Sequence, residues 1–262
     1  MKLAEVFYHL ITFRKYMLKR KMGKITTFEV SPAKINLYNG KPHTIFKERC
    51  KKIYHNSSKK ELIALFFNER RLIKDLFVVA GDWDLEATPF VEHETYQQME
   101  ELHRYNYNYE KTERYQEMMA LIEDGESVKH KGPKMKSKEE VINRYFKRYI
   151  SVFKSMEANG YLDKITDRIR DDLGRAGIGR NGEIIKMDKG RHRLAIAKIL
   201  DIDTIPLKIN YIHPQWIKKQ LQQSSVNELN LDILRKSLKV VQERYNQDDL
   251  FTENNKANIK QL

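Results

Sequence analysis

The chain has 262 residues, 49 Lys and Arg against 36 Asp and Glu, a formal net charge of +13 and one cysteine. That length buries one good core plus a smaller second layer. The lone Cys50 excludes an intramolecular disulfide and a cysteine-based zinc cluster, and it points to a reducing, cytoplasmic setting. The basic balance favours polyanionic partners such as nucleic acid, nucleotides or anionic glycans, and no apolar run approaches the ~20 residues of a membrane-spanning helix.

Residues 1–60 read as a basic N-terminal extension. Met1 to Arg20 mixes apolar residues with Lys2, Glu5, Arg14, Lys15, Lys19 and Arg20. Without an uninterrupted apolar stretch and a small-residue cleavage site, it does not read as a signal peptide. Its pattern suits a surface helix docked on the domain, with a basic amphipathic helix at a membrane surface as the alternative. Turns are expected at Ser31-Pro32, Asn39-Gly40 and Asn56-Ser57-Ser58.

A helix is predicted over Lys60–Asp75, running into a buried strand at Leu76–Ala80 that stops in Gly81-Asp82-Trp83-Asp84. Two carboxylates at i and i+2 after a buried strand can project into a cleft. There Asp82 and Asp84 could hold Mg²⁺ or take a proton from a hydroxyl, and Trp83 could stack on a substrate base or sugar. A capped turn with Trp83 plugging the core accounts for the same residues about as well.

Residues 91–148 read as a helical insertion, with a polar loop around Asp124 to Lys138. His93 and His103 fall among Glu92, Glu94, Glu100 and Glu101, where exposed helix positions are favoured over a metal site. Tyr105-Asn106-Tyr107-Asn108-Tyr109 cannot present one helical face, so a buried loop or helix end packed by tyrosines is favoured over a base-stacking platform. Lys129 to Lys138 reads as a solvated basic loop, with a lid over an anionic substrate as the alternative.

Residues 165–212 switch to short strands around one strong helix. In Asn181–Leu200 a turn leads to a short apolar strand, and then Gly190 opens a helix that begins Arg191-His192-Arg193. Apolar positions at Leu194, Ile196, Ala197, Ile199 and Leu200 bury one face. A helix N-terminus carries unpaired N–H groups and partial positive charge, so a basic triplet there is unfavourable without a bound anion. An anion site, most plausibly for phosphate, is the favoured reading. Gly190 would let the anion approach the backbone, Arg191 and Arg193 would clamp it, and His192 would donate to it or pass a proton near neutral pH. Asp188 would orient Arg191 or Arg193, and Glu183 would face solvent. After His213-Pro214-Gln215-Trp216, which could pack over the pocket or end the core, residues 217–262 read as helix to about Tyr245 and then a frayed tail. There is no zinc-type His or Cys spacing, Walker loop or Gly-x-Ser-x-Gly motif.

The run Ile178-Gly-Arg-Asn-Gly-Glu-Ile-Ile, followed by Asp188-Lys-Gly-Arg-His-Arg-Leu-Ala-Ile-Ala-Lys-Ile-Leu-Asp-Ile-Asp-Thr-Ile-Pro-Leu-Lys-Ile209, resembles the ParB/sulfiredoxin superfamily. Tyr149–Tyr161 is similar to the helix that precedes this core in the family, so the match covers about residues 149–209. The resemblance implies a nucleotide-phosphate pocket at the Gly-x-x-Arg turn. Its members differ in chemistry: ParB partition proteins bind CTP and DNA, sulfiredoxins use ATP to repair oxidised cysteine, and others are free-serine kinases or nucleases. Gly190, His192 and Arg193 match the phosphate-contacting turn. Arg191 stands where sulfiredoxins carry the reactive cysteine, which excludes their chemistry. No Gly-containing turn between recognition-type helices marks residues 217–245 as a helix-turn-helix.

The expected fold is therefore α+β, a small ParB/sulfiredoxin-like mixed sheet with packed helices and more helix than strand. The core spans 61–216, with helical additions at both ends. The expected function is a nucleotide-dependent phosphotransferase using ATP, ADP or CTP with Mg²⁺ on a hydroxyl of a small metabolite or sugar unit. In it Asp82, Asp84 and His192 are catalytic, Asp82 and Asp84 bind the metal, and Trp83 binds substrate. Arg180, Asp188, Gly190, Arg191, His192 and Arg193 bind the cofactor. The alternative is a DNA- or RNA-binding protein or nuclease that uses the same arginines on backbone phosphates.

Overall fold

Eleven α-helices surround a six-stranded mixed sheet in the computed structural model, which describes residues 3–22, 26–161, 174–224 and 230–246. The strands are β1 (Thr27–Val30), β2 (Leu37–Tyr38), β3 (Thr88–Pro89), β4 (Gly174–Ile178), β5 (Ile184–Lys186) and β6 (Ile205–Ile212), in the order β1-β6-β4-β5-β2-β3. β4 lies parallel to β6 and antiparallel to β5, while β2 runs parallel to β5. The long β6 is buried at every position but Lys208, as suits a central strand covered on both faces. The α+β class and the excess of helix over strand follow the sequence expectation.

Residues 1–60 are not an appended extension. They supply β1, which pairs antiparallel with β6, and β2, which pairs with β5. Helix α1 (Leu3–Met22) docks on the body through buried Phe7, Ile11 and Leu18. It also inserts Lys15, whose ammonium sits 3.9 Å from the Tyr211 ring centre and 4.5 Å from that of Phe46 of α2 (Lys41–Asn56). Cys50 is buried there too, and burial pushes its thiol up to about 11, which keeps it unreactive.

The single helix expected over Lys60–Asp75 is two. α3 (Lys59–Phe67) opens with a Ser58/Glu61 capping box. Asn68 then turns extended and caps α4 (Glu69–Phe77) by accepting from the Arg71 N–H at 3.0 Å. The expected strand at 76–80 shrinks to one bridge, Val78 against Ile212. Its apolar run is buried as anticipated, but Leu76 and Phe77 are spent in the last turn of α4.

The helical insertion comprises α5 (Glu94–Arg104), α6 (Glu113–Glu123), α7 (Lys138–Val141), a π-turn at Ile142–Phe146, and α8 (Lys147–Asn159). Asn106 and Tyr107 take positive φ at the end of α5. Tyr107 and Tyr109 pack on Phe153 and Phe146, the tyrosine-packed helix end that the sequence favoured. α9 (Arg191–Ile199) packs against α5 and α8, and α10 (Pro214–Ser224) and α11 (Leu231–Asn246) complete the fold. The C-terminal helices belong to the body: the Tyr245 hydroxyl accepts from the Ile184 N–H at 2.6 Å. The tail expected to fray from residue 246 lies outside the described residues after Asn246.

Candidate anion site at the start of α9

The first turn of α9 has the form an anion site requires. Gly190 takes the N-cap position in a left-handed conformation (φ +80°), no side chain caps the helix, and no acid lies in its first turn. The partial positive charge of the terminus is thus left without an internal counter-charge. The glycine is required for a reason the sequence did not reveal: a Cβ here would lie 2.7 Å from the Cα of Gly174 on β4. The close approach it permits is helix turn to strand. Gly190→Ala is expected to cost about 2–3 kcal/mol, from a strained φ plus a backbone clash. Urea unfolding would read this directly, and a loss under about 0.5 kcal/mol would refute the tight seat.

Beneath the turn lies Lys186, fully buried. Its ammonium donates to the carbonyls of Met187 (2.7 Å), Arg175 (3.1 Å) and Lys189. Burial pushes its pKa down to about 7. It pins the loop that delivers Gly190.

Arg191 is half-buried and reaches the Tyr38 hydroxyl (3.1 Å) and His93 Nε2 (3.1 Å). His93 is not the exposed helix residue expected. It is the N-cap of α5, and its Nδ1 accepts from the Thr95 N–H at 3.0 Å. The neutral ring must then carry its proton on Nε2, so two donors, that N–H and the Arg191 guanidinium, meet with no acceptor between them. An anion oxygen would satisfy both.

His192 is buried and stacked on Tyr149 of α8 at 4.3 Å, with His130 edge-on at 5.5 Å. The Lys131 ammonium donates to His192 Nδ1 (3.4 Å) and to the Tyr149 hydroxyl (3.2 Å), which also shares a 2.8 Å hydrogen bond with His130 Nε2. Burial and then the neighbouring cations push His192 down to about 2 and His130 to about 4. Both rings are neutral at pH 7, so the expected proton transfer by His192 near neutrality does not fit its surroundings. Lys131 is lowered by burial and by Arg148, Arg191 and Arg193. Arg148 and Arg191 also lower His130 and His192. Arg193 itself is exposed at the rim. Lys131 and His130 come from the basic loop at 129–138, which is exposed at every position but His130 and Met135, as the sequence favoured; an Arg144 bond to the Pro133 carbonyl (2.7 Å) ties it to the π-turn.

The remaining sequence candidates lie elsewhere. Asp84 has a fully buried side chain and accepts from Arg180 through its Nε (2.7 Å), Nη2 (2.8 Å) and backbone N–H (2.8 Å). Burial alone would raise its carboxyl, but the Arg180 bonds outweigh that and hold it below the usual range. Asp82 is exposed and takes a second contact from Arg180 Nη2 at 2.8 Å. Arg180 is therefore the partner of the Asp pair and not part of the α9 site. Trp83 is 1% exposed and donates to the Val79 carbonyl, so it plugs the core and cannot stack on a substrate.

His213 bonds the Gly81 carbonyl (3.0 Å) and accepts from the Gln215 N–H, so His213-Pro214 closes this knot and starts α10. Glu183 is half-buried and not fully turned to solvent; its carboxylate accepts from the Asn181 N–H, and burial raises its pKa. Asp188 sits 3.9 Å from Arg175, and among the described residues no ion pair links it to Arg191 or Arg193.

Gly190 touches Gly174 at one end of β4, whereas Asp84 touches Gly179 just beyond the other. Five residues of strand put these anchors roughly 16 Å apart. One metal ion, with ligand distances of about 2.0–2.6 Å, cannot bridge them. No group of three or more His, Cys, Asp or Glu able to hold a metal occurs among the described residues. Comparison with protein-family models, with curated proteins and with solved structures finds no match to this chain.

Proposed function

We propose that the chain binds the phosphate groups of a nucleotide at the N-terminus of α9. One observation carries the reading: Lys131, Arg148 and Arg191 crowd the charge environment of an uncapped helix start with no acid in its first turn. Such a concentration of positive charge is unfavourable unless an anion neutralises it. The nucleotide, as opposed to another phosphate, comes from the resemblance of residues 149–209 to the ParB/sulfiredoxin superfamily.

Transfer of that phosphate to a hydroxyl, the expected phosphotransferase reaction with Mg²⁺, remains part of the proposal. Its base and metal ligands were to be Asp82 and Asp84, and Arg180 occupies both. A transferase would have to draw its acid–base group from the substrate side of the site.

ATP, ADP and CTP, each with and without Mg²⁺, test the binding in a thermal-shift measurement. At a hundredfold excess over Kd the stabilisation is about 2.7 kcal/mol, or roughly 5 °C for a domain of this size. Arg191→Ala and Lys131→Ala should abolish the shift, with no transition broadening. If no nucleotide moves the midpoint, while duplex or single-stranded nucleic acid binds with a steep salt dependence, the backbone-phosphate reading replaces this one.

A further inference from the structure

One exposed stripe of α1 is apolar. Leu3, Leu10, Phe13 and Met17 are 71%, 48%, 56% and 36% exposed. Their spacing of seven, three and four residues aligns them in one stripe, which Arg20 continues one turn on. Beside it, α3 exposes Ile63 (60%) and Phe67 (73%). Lys59 and Lys60, one turn before Ile63, share that face and are exposed. The Arg14 guanidinium lies 4.8 Å over the Phe66 ring and ties the two helices together, so the stripes adjoin. Six large apolar side chains on one side of one molecule are not the scattered singles of an ordinary surface.

Charge says what covers them. Residues 1–60 hold fifteen Lys and Arg against three Asp and Glu, nearly the whole excess of the +13 chain. Of the acids on α1 and α3, Glu61 is turned to its own Ser58 cap. We propose that this face is a docking surface for an anionic lipid bilayer. Leu10, Phe13, Ile63 and Phe67 enter the acyl boundary, and Arg20, Lys59 and Lys60 stay at headgroup level. Nucleic acid would use the cations and leave the apolar stripe in water. A second copy, paired about a two-fold axis, would bring the same cations of both copies together.

The test is sedimentation of the full chain with vesicles of phosphatidylcholine and phosphatidylglycerol in equal parts, and with pure phosphatidylcholine. Binding is expected to the first and not the second, and to fall with added salt. Replacing Leu10, Phe13, Ile63 and Phe67 by Ser should cut partitioning about tenfold or more, with an unchanged thermal midpoint because these side chains are exposed. Should that variant misfold, the charge variant R20Q/K59Q/K60Q must show the same loss. Absence of vesicle binding, equal binding by wild type and the charge variant, or a wild-type dimer that the Ser variant makes monomeric would each overturn the proposal.

Discussion

Arg180→Ala is expected to destabilise the fold by about 3–5 kcal/mol, the range for removing one partner of a buried ion pair. The carboxylate left behind has no exposed side-chain surface and loses the Arg180 side-chain donors at once, keeping the backbone N–H groups of Arg180 and Asp84. Equilibrium denaturation in urea measures the loss, which should come as a lower midpoint with an unchanged slope.

The pH dependence of the same pair has a fixed sign. The folded Asp84 carboxyl lies below its ordinary value, so its contribution is present above the unfolded pKa of about 3.9 and is lost as pH falls through the folded one. Wild type should lose stability steeply below about pH 4, and Arg180→Ala should already have lost that increment at pH 7. Because the pair lies at the far end of β4, Arg180→Ala protein that still folds should keep its nucleotide shift. A variant that folds well but binds no nucleotide would place Arg180 in the ligand site after all.

Lys186→Met is expected to cost about 2–4 kcal/mol. The Arg175 carbonyl keeps the Met187 N–H as donor, and the Lys189 carbonyl keeps the Arg175 N–H. The Met187 carbonyl is left with no donor identified among the described residues, at about 1–3 kcal/mol for a buried acceptor. The rest is lost restraint on the loop. Titration separates this effect from simple loss of packing. A folded pKa of about 7, against about 10.4 unfolded, means the unfolded chain binds more protons between those values. Wild-type stability should therefore rise with pH from about 7 to 10, and the rise should be missing in Lys186→Met. Since the three carbonyls bracket the Gly190 turn, the nucleotide-induced shift should shrink in this variant also.

Much of the α9 region was legible because its signals are local. Gly190, the basic triplet and the apolar spacing from Leu194 to Leu200 fall within eleven residues, and the structure forms the helix they describe. The partners of that turn carried no readable signal. Tyr38, His93, Lys131 and Tyr149 come from β2, the N-cap of α5, a loop and α8, between 43 and 153 residues away along the chain. His93 and Lys131 look like any surface residue until a helix start is packed on them.

The Asp82/Asp84 pair shows the converse. Asp-x-Asp after an apolar run is written the same way for a metal site and for a buried ion pair. The choice fell to Arg180, some 96 residues on, which the β4–β5 hairpin brings against it. Burial decided Trp83 and His192 likewise: the same side chains could serve substrate or proton transfer if they lay at a surface.

By itself the sequence determined the class of fold, the single thiol's inertness to disulfide pairing, and a helix that opens on positive charge. These rest on composition and on periodicities of a few residues, which are properties of the chain alone. Only the tertiary structure decided which cations surround that opening, which carboxylates were already neutralised, and that the first 60 residues supply two strands of the sheet. Each of these depends on contacts between segments far apart in the chain, set by burial and pairing energies that no local pattern encodes.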